Sequence, residues 1–593
     1  MSFTRRNTFQ ICLLKGSDPF RRQIPQEKSS HAKDNMVITS SGGRDSRSGF
    51  IITKEKTVYK TLKLFVGCLI VSAFVLTASC AATNTAQPAK PDAPKPQPET
   101  HDAAWWLNNA KACAMEMPGG FRRDDRLWQI GQAQANAGLY ADALATAQEL
   151  HDDLDKTRVI TAVAEAQANA GKRDEASKTL SDAIQTLHAK EKETGRFMDI
   201  ELADIAEAQA HIGMISDALK TVDQLQRSYC ADALCAIAVA QAKAGMADQA
   251  FAILRDVTDQ VKKVEALTSI AKAQAAANKR DDAARTSLTA FGIIQSMPDG
   301  THHEPLSYKP YVLWEFIQNL IDAGLFDEAK TFSVQTLNLA EQARMLSDII
   351  YRQAETDKRD SARETIALLT ALYAKAQEPK DLVYIQTEIA DGHFRVGNLD
   401  SANKTLAEAL AGASALKNPK EKAAALALLA CIQESMGKRD EASGTFALAT
   451  AALKAIGDDA YKTDESGSVP MEIIILDEAF RGFIDEALKL EKEWPATHDK
   501  SGPMWNVVLP LFLTSNGRYD EAMELARKVT DPHDSHIYMI IATTAVQKDE
   551  QAALKMWTAI KDQPAEVRVA YCLGAAQGLI EKANKANLSP KGV

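Results

Sequence analysis

One phrase returns along this chain every 30 to 46 residues, and it constrains the fold more than any other feature of the sequence. It reads IGQAQANAGLYADA from Ile130, VAEAQANAGKRDEA from Val163 and IAVAQAKAGMADQA from Ile237. We align the copies on the residue at which the phrase breaks. There are twelve such loop residues: Gly138, Gly171, Gly213, Gly245, Asn278, Gly324, Asp357, Gly397, Gly437, Gly482, Gly517 and Gln547. A period of this size is typical of a solenoid, whose units bury their apolar faces only against one another.

Each copy predicts two helices joined by a short turn. The position eight residues before the loop residue is apolar, as at Ile130 and Val163, and small residues follow at helical spacing. A glycine loop residue suits the left-handed conformation that ends a helix. Three residues later an aspartate such as Asp174 is predicted to cap the second helix, and an alanine such as Ala176 lets the two helices approach closely. The fold class is therefore all-α, an α-solenoid of about twelve antiparallel helix pairs.

The loop glycine, the alanine five residues after it and a small residue seven before it, such as Gly131 or Ala164, resemble the tetratricopeptide repeat. The resemblance covers about residues 104–585. It implies a right-handed superhelix whose concave surface binds a peptide or a protein. Gln134 and Gln167 occupy positions that carry an aromatic residue in the family, and we interpret them as packing residues between helices rather than as a row facing a groove.

The same resemblance implies which residues line the concave groove. In each unit they lie on the first helix, six or two residues before the loop residue. The candidate ligand-groove residues are Glu165, Asn169, Glu207, His211, Lys272, Gln318, Tyr351, Asp391 and Arg395. We expect a protein or peptide partner, no cofactor and no metal; an ordinary solvated helix face is the alternative interpretation of this row.

The N-terminus predicts export. The run from Leu64 to Ala78 carries no charge and follows four lysines, which is typical of a signal peptide. Its end, Leu76 to Cys80, resembles a bacterial lipobox, so Cys80 is a lipidation candidate; ordinary cleavage nearby and an uncleaved membrane anchor are the alternatives. The resemblance implies a bacterial cell-envelope location, in the periplasm or on an extracytoplasmic membrane face, and an outer-membrane lipoprotein because Ala81 follows.

Changes in composition and clusters of proline and glycine divide the chain into segments. Residues 1–57 are polar and basic, and we predict a disordered or mis-assigned extension with the true start near Met36 or Val58. Residues 58–82 are the signal peptide or anchor, and the proline-rich 83–103 is a linker. Repeats occupy 104–296, 311–457 and 471–585, the last with a capping helix at its end. Insertion loops occupy 297–310 and 458–470.

Charge and motifs bear on function. Residues 1–80 hold 13 lysines and arginines against 5 acidic residues, while the remaining chain holds 56 against 74. An acidic body disfavours phosphate backbones, so we expect no nucleic-acid partner. The Rossmann, P-loop, zincin and hydrolase motifs are absent from the sequence. We therefore predict a non-catalytic, membrane-tethered interaction scaffold.

Two other hypotheses stay open. The first is a glycan-binding or glycan-hydrolysing envelope protein with a site at an insertion loop, where the candidate carboxylates are Asp458, Asp459, Asp464 and Glu465. The second is self-association through the ends of the solenoid.

Overall fold

The structure is a computed structural model that describes residues 101–226, 229–298, 309–336, 338–462, 469–493, 503–528 and 535–588. The predicted extension 1–57, the predicted signal or anchor 58–82 with Cys80, and all but the end of the linker 83–103 lie outside the described residues. So do most of the insertion 297–310 and residues 463–468 of the insertion 458–470.

The described residues form 26 α-helices and contain no strand. The first is α1 (Ala103–Glu116) and the last is α26 (Ala565–Leu588). Between them lie twelve pairs, each made of a first or A helix and a second or B helix. The pairs are α2 (Phe121–Asn136) with α3 (Tyr140–Gln148), α4 (Asp153–Asn169) with α5 (Arg173–Thr194), α6 (Asp199–His211) with α7 (Ile215–Val222), α8 (Ala231–Lys243) with α9 (Ala247–Leu254), α10 (Gln260–Ala276) with α11 (Arg280–Ser296), α12 (Lys309–Asp322) with α13 (Phe326–Thr336), α14 (Leu339–Glu355) with α15 (Arg359–Tyr373), α16 (Pro379–Arg395) with α17 (Leu399–Ala415), α18 (Pro419–Ser435) with α19 (Arg439–Lys454), α20 (Pro470–Phe480) with α21 (Ile484–Lys492), α22 (Pro503–Ser515) with α23 (Tyr519–Lys528), and α24 (His536–Lys548) with α25 (Glu550–Ala559).

The turn inside each pair is the one that the loop residue predicts. Eleven of the twelve loop residues have positive φ, including Asn278 at 60° and Asp357 at 56°. At Gly171 the following amide, that of Lys172, donates to the carbonyl oxygen of Gln167 at 2.9 Å, which is the bond that closes a Schellman turn. The exception is Gln547. There α24 continues to Lys548 and the next helix starts immediately.

The predicted aspartate caps are wrong. The B helices begin two residues after the loop residue, so Asp174 lies inside the first turn of α5, and the N-cap residue, Lys172, makes no side-chain cap bond. The tight Schellman turn leads directly into the second helix and leaves no extended residue at the aspartate. A carboxylate in the first turn still interacts favourably with the helix dipole.

The core lies between the two helices of each pair and between neighbouring pairs. The alanine five residues after the loop residue, such as Ala143 or Ala176, is 0 % exposed in the first eleven pairs. Ile130 and Val163, each eight residues before its loop residue, are also fully buried. One cluster of buried residues extends from Ala238 to Val396, on both sides of the first insertion.

The A helices form one layer and the B helices another. Successive A helices pack against one another along the whole array, whereas successive B helices touch little. A curved array of pairs brings together the helices on its inner side and separates those on its outer side. The A helices are therefore the inner layer.

The array closes into a ring, which corrects the open superhelix expected from the resemblance. The last helix, α26, packs against α24 as one A helix packs against the previous one, and it also packs against α1 and α2. Helix α1 in turn contacts α26 and α2, as a B helix contacts its own A helix and the next one. The two ends of the described chain thus form a thirteenth pair. Helix α26 packs on α24 at the end of the array, and the ends that self-association would use are paired within the chain.

The seam of the ring is apolar inside and ionic at its edge. Trp106 of α1 lies 6.1 Å from the ring of Tyr571 and 6.0 Å from that of Trp557, centre to centre, and all three side chains are buried. At the edge, the guanidinium of Arg568 donates to both carboxylate oxygens of Glu116, at 3.2 and 2.5 Å. A bidentate pair of this kind adds orientation to the apolar contact.

Helix α26 can approach α24 closely because it carries glycine at the contact. A Cβ atom on Gly574 would lie 2.0 Å from the carbonyl oxygen of Met539. The hydroxyl of Thr543 donates to the carbonyl oxygen of Gly574 at 2.9 Å, which fixes the two helices in register. No other glycine of the described chain comes so near to a neighbouring backbone.

Candidate functional site: the inner face of the ring

Four positions of each A helix make up the inner face of the ring. They lie two, six, nine and thirteen residues before the loop residue and share one side of the helix. Positions four and eight before it are buried toward the B helix, as Gln134 and Ile130 show. The four inner positions meet across neighbouring A helices: the guanidinium of Arg158 donates to Asp204 at 3.3 Å.

The inner face of α2 through α16 is charged, and most of its charged side chains are at least partly exposed; we call it the charged sector. It holds twelve carboxylates, Asp125, Glu165, Asp204, Glu207, Asp232, Glu265, Glu315, Asp322, Asp348, Glu355, Glu388 and Asp391. Against these stand five lysines and arginines, Arg158, Lys243, Lys272, Arg344 and Arg395. The excess of seven negative charges gives this face an attraction for cations.

Three of the predicted groove residues form one cluster. Nδ1 of His211 on α6 lies 2.9 Å from a carboxylate oxygen of Glu165 on α4, and its Nε2 lies 3.8 Å from Glu207. The bond to Glu165 raises the pKa of His211. Burial and the neighbouring carboxylates of Asp232 and Asp204 raise the pKa of Glu207. The cluster therefore holds a proton more tightly than separate side chains would.

Three other predicted groove residues, Tyr351 on α14 and Asp391 and Arg395 on α16, meet between these two neighbouring A helices. Nε of Arg395 donates to Asp391 at 2.7 Å, and its guanidinium carbon lies 4.4 Å from the centre of the Tyr351 ring. The Tyr351 hydroxyl donates to Glu355 at 2.6 Å. Asp391 is only 2 % exposed, so this group is a buried, satisfied network more than a free surface.

The remaining predicted residues lie apart from these groups. The amide of Gln318 donates to Asp348 on the next A helix at 2.8 Å. Asn169 and Lys272 are exposed on α4 and α10. The structure thus places all nine residues on the inner layer, and whether they bind a ligand stays a prediction.

Arg344 belongs to the same face and was not among the predicted residues. Its side chain is almost fully buried, its guanidinium lies 5.5 Å from the ring centre of Trp314, and burial lowers its pKa. The carboxylates of Asp348 and Glu388 oppose that shift. The position thirteen residues before Asp357 would have identified it in the sequence.

The inner face of α18, α20, α22, α24 and α26 is different, and we call it the apolar sector. Among its described residues the only charged side chain is Arg568. The residues six before the turn in the first four of these helices are Cys431, Leu476, Leu511 and Ile541, all 5 % exposed or less. Helices that bury this face against one another leave no open groove here.

The repeated glutamine of the A helices is a structural clamp. In five pairs its side-chain oxygen accepts a hydrogen bond from a threonine hydroxyl twelve residues later, at 2.8 to 2.9 Å. The pairs are Gln134 with Thr146, Gln167 with Thr179, Gln209 with Thr221, Gln274 with Thr286, and Gln353 with Thr365. This confirms the glutamines as packing residues; the threonine at fixed spacing was the signal that the sequence analysis missed.

The described residues hold no group of three or more His, Cys, Asp or Glu side chains arranged for a metal ion. Asp458 and Asp459, two of the carboxylates proposed for a glycan site, lie in a short 3-10 helix, Gly457–Ala460, and are exposed; Asp464 and Glu465 lie outside the described residues. None of the described helices combines the length and apolar character that crossing a bilayer requires.

No family model and no curated protein matches the chain. Among solved structures, Ton1535 from Thermococcus onnurineus is 14 % identical with a TM-score of 0.22, covering 74 % of this chain and 97 % of that one. The pentatricopeptide repeat protein PPR10 from maize is 12 % identical with a TM-score of 0.21 and covers 80 % of each chain. A circular tandem repeat protein is 12 % identical with a TM-score of 0.16, covering 81 % of this chain and 100 % of that one. At such low TM-scores these similarities do not assign the chain to the family of any of the three proteins.

Proposed function

We propose that this protein is a non-catalytic interaction scaffold, a divergent tetratricopeptide-like ring whose charged sector binds a cationic segment of another polypeptide. The observation that carries the proposal is the excess of carboxylates in the charged sector, where nine of the twelve are at least partly exposed. A Lys- or Arg-rich peptide supplies the charge that this face lacks, and electrostatic complementarity of this kind speeds association and selects partners.

The Glu165, Glu207 and His211 cluster is an accessible part of that face. Glu165 and Glu207 are 38 % and 39 % exposed, so their charges can reach a ligand without a change of fold. Asp204 and Asp232 add negative charge beside them. By contrast, the Asp391 and Arg395 pair is buried, and it contributes shape more than attraction.

The test uses the full-length protein and a fluorescent lysine-rich peptide, measured by anisotropy. The double variant Glu165→Gln/Glu207→Gln is expected to weaken binding about tenfold at low salt, because two attractive charges are lost. The matched control is Asp174→Asn/Glu175→Gln, which removes two charges from the B helix α5 and should change affinity less than about twofold. Equal binding of a glutamate-rich peptide, or equal effects of the two variants, would contradict the proposal.

We further propose that the protein is exported to a bacterial cell envelope and tethered through its N-terminus. The support is the sequence alone: lysines, an uncharged run, a lipobox-like Cys80 and a proline-rich spacer before the first helix. Mass spectrometry of the mature N-terminus distinguishes the possibilities. A diacylated Cys80 supports the tether, whereas a mature chain that retains residues 1–35 contradicts export by this segment.

A further inference from the structure

A cavity of about 290 Å³ lies in the apolar sector, away from the inner face. It lies between the B helices α19 and α21 and the end of α20, and it is partly open to solvent. Phe446 and Phe483 line one side of it and contact each other edge to face, with their ring centres 5.5 Å apart. Leu490 and Ala447 extend the apolar lining. A space of this size takes a small ligand or a single amino-acid side chain.

Two polar atoms that line this cavity have no hydrogen-bond partner. They are Oε2 of Glu478 and the hydroxyl oxygen of Thr450. The two residues are 4 % and 8 % exposed, so open solvent does not satisfy them. Buried polar atoms are almost always paired, and each unpaired one costs about 1–3 kcal/mol. Two such atoms in one cavity indicate a missing donor.

The position of Glu478 in its repeat explains why its Oε2 has no hydrogen-bond partner. It lies four residues before Gly482, where other A helices carry the clamp glutamine. The residue twelve later is Leu490, not the threonine that would bond to it. A carboxyl group thus replaces the amide, and leucine replaces the hydroxyl donor of the clamp.

Charge decides what kind of group fits. The lining carries three carboxyl groups, on Glu478, Glu486 and Glu493, and two ammonium groups, on Lys454 and Lys489. Lys454 and Glu493 pair with each other at 2.6 Å. This leaves Glu478 at the buried end without a cation of its own. An ammonium group is the donor that can bond to a carboxylate and a hydroxyl together.

We propose that this cavity binds a small primary amine with an apolar body, its ammonium group bonded to Glu478 and Thr450 and its carbon chain lying against Phe446 and Phe483 on one side of the cavity.

Proton linkage gives this site a signature. Burial, with a smaller contribution from the neighbouring Glu486 and opposed by Lys454, raises the pKa of Glu478 to about 8. At pH 7 the carboxyl group is mostly protonated, so binding of an ammonium ion must release a proton. Affinity should therefore rise about tenfold per pH unit as the pH increases toward 8, and it should level off above that value.

The test titrates phenethylamine into the full-length protein by calorimetry, in buffers that differ in ionisation enthalpy. We expect saturable binding with release of close to one proton at pH 7. Glu478→Gln should reduce affinity at least tenfold while the protein stays folded, because glutamine is the residue of the other pairs. Thr450→Val should reduce it severalfold. Glu486→Gln, a control at the mouth, should change it less than threefold.

Three outcomes would overturn the proposal. One is no saturation up to about 10 mM amine, a limit far weaker than useful recognition. Another is equal binding of the neutral phenethyl alcohol. The third is unchanged affinity in Glu478→Gln. The first would leave ordered water as the occupant of the cavity, and the other two would mean that no ion pair with Glu478 forms on binding.

Discussion

The charged and apolar sectors of the inner layer are built from the same helix pair, yet they solve the packing of neighbouring A helices differently. In the charged sector, side chains such as Arg158 and Asp204 or Gln318 and Asp348 bridge successive A helices with hydrogen bonds. In the apolar sector, small and aliphatic residues let the helices meet, until α24 and α26 touch backbone to backbone at Gly574. Polar contacts between A helices leave the inner face accessible to solvent, whereas apolar contacts bury it.

The same division applies inside the pairs. The glutamine–threonine clamp occurs in pairs of the charged sector, as Gln353 with Thr365. In the apolar sector Gln433 and Thr445 occupy the same positions, but the Thr445 hydroxyl donates to the carbonyl oxygen of Glu441 instead; the next two pairs hold Glu478 with Leu490 and Leu513 with Leu525. Five pairs of the charged sector are thus joined by the clamp, whereas the apolar sector depends on dense apolar contact.

The largest effect is expected from a substitution that prevents the close approach of α26 to α24, because it tests whether the apolar sector holds the ring closed. Gly574→Leu places a side chain where a carbonyl oxygen lies 2.0 Å from the Cβ position, so α26 must move away from α24. We expect a loss of about 4 kcal/mol of stability and a larger radius of gyration, measured by thermal unfolding and small-angle scattering.

The matched control is Gly292→Ala in α11, where no neighbouring atom lies within 4 Å of the new Cβ. It should stabilise the protein by about 0.5–1 kcal/mol, because alanine favours the helix. Equal effects of the two substitutions would show that the seam is not tightly packed.

In the charged sector the largest effect is expected at a buried ion pair. Arg395→Met removes the guanidinium that pairs with the carboxylate of Asp391, which is 2 % exposed, and should cost about 3 kcal/mol. Denaturant unfolding measures the loss. Arg285→Met, in an exposed pair with Asp282, is the control and should cost less than about 0.5 kcal/mol. A small loss at Arg395 would indicate that this sector tolerates polar rearrangement.

The clamp predicts a moderate effect. Thr365→Val keeps the shape of the side chain but leaves the buried oxygen of Gln353 without its donor, at a cost of about 1–2 kcal/mol. Thr289→Val in α11 is the control, because that hydroxyl is exposed and bonds only within its own helix. If both variants unfold at the same denaturant concentration, the clamp has no energetic role.

The smallest expected effect is a pH dependence of the charged sector. Bonding to Glu165 raises the folded-state pKa of His211, so its stabilising contribution is full below the unfolded pKa near 6.5 and is lost as pH rises through the folded value. His211→Gln should therefore lower stability at pH 5.5 but not at pH 8.5. Since His211 is half exposed, the difference should stay below about 1 kcal/mol. A deficit at pH 8.5 would mean a packing role instead.

Much of this fold could be predicted from residues that act locally. A glycine such as Gly171 fixes a turn through its own backbone, and an alanine such as Ala176 fixes a helix contact through its size, so pattern alone is sufficient. The cap aspartates were predicted two residues too late, because the observed N-cap is Lys172 and not Asp174. The nine groove candidates lie on the inner layer and stay a prediction as ligand residues; their partners, such as Glu165 for His211, depend on the offset between neighbouring helices, which no single phrase encodes.

Ring closure was missed although the sequence contains its signal. Leu573, Gly574 and Gln577 repeat the spacing of Ile130, Gly131 and Gln134, which marks α26 as an A helix. The position eight residues after Leu573, where most units carry the turn glycine, is Glu581, and α26 continues through it. The B helix that pairs with α26 is α1, at the other end of the described chain, and only the folded structure brings the two together.

The pairing of α1 with α26 affects the order in which the protein can fold during synthesis. During synthesis α1 leaves the ribosome about 450 residues before α26, and it must wait with Trp106 exposed until the entire array has been made. For a flexible chain, joining ends so far apart would cost about 5 kcal/mol in entropy, so the curvature of the folded array must bring the two ends together before they pair. A chaperone that shelters a single amphipathic helix would have its longest opportunity here, and a prematurely terminated product would remain recognisable by that one bare surface.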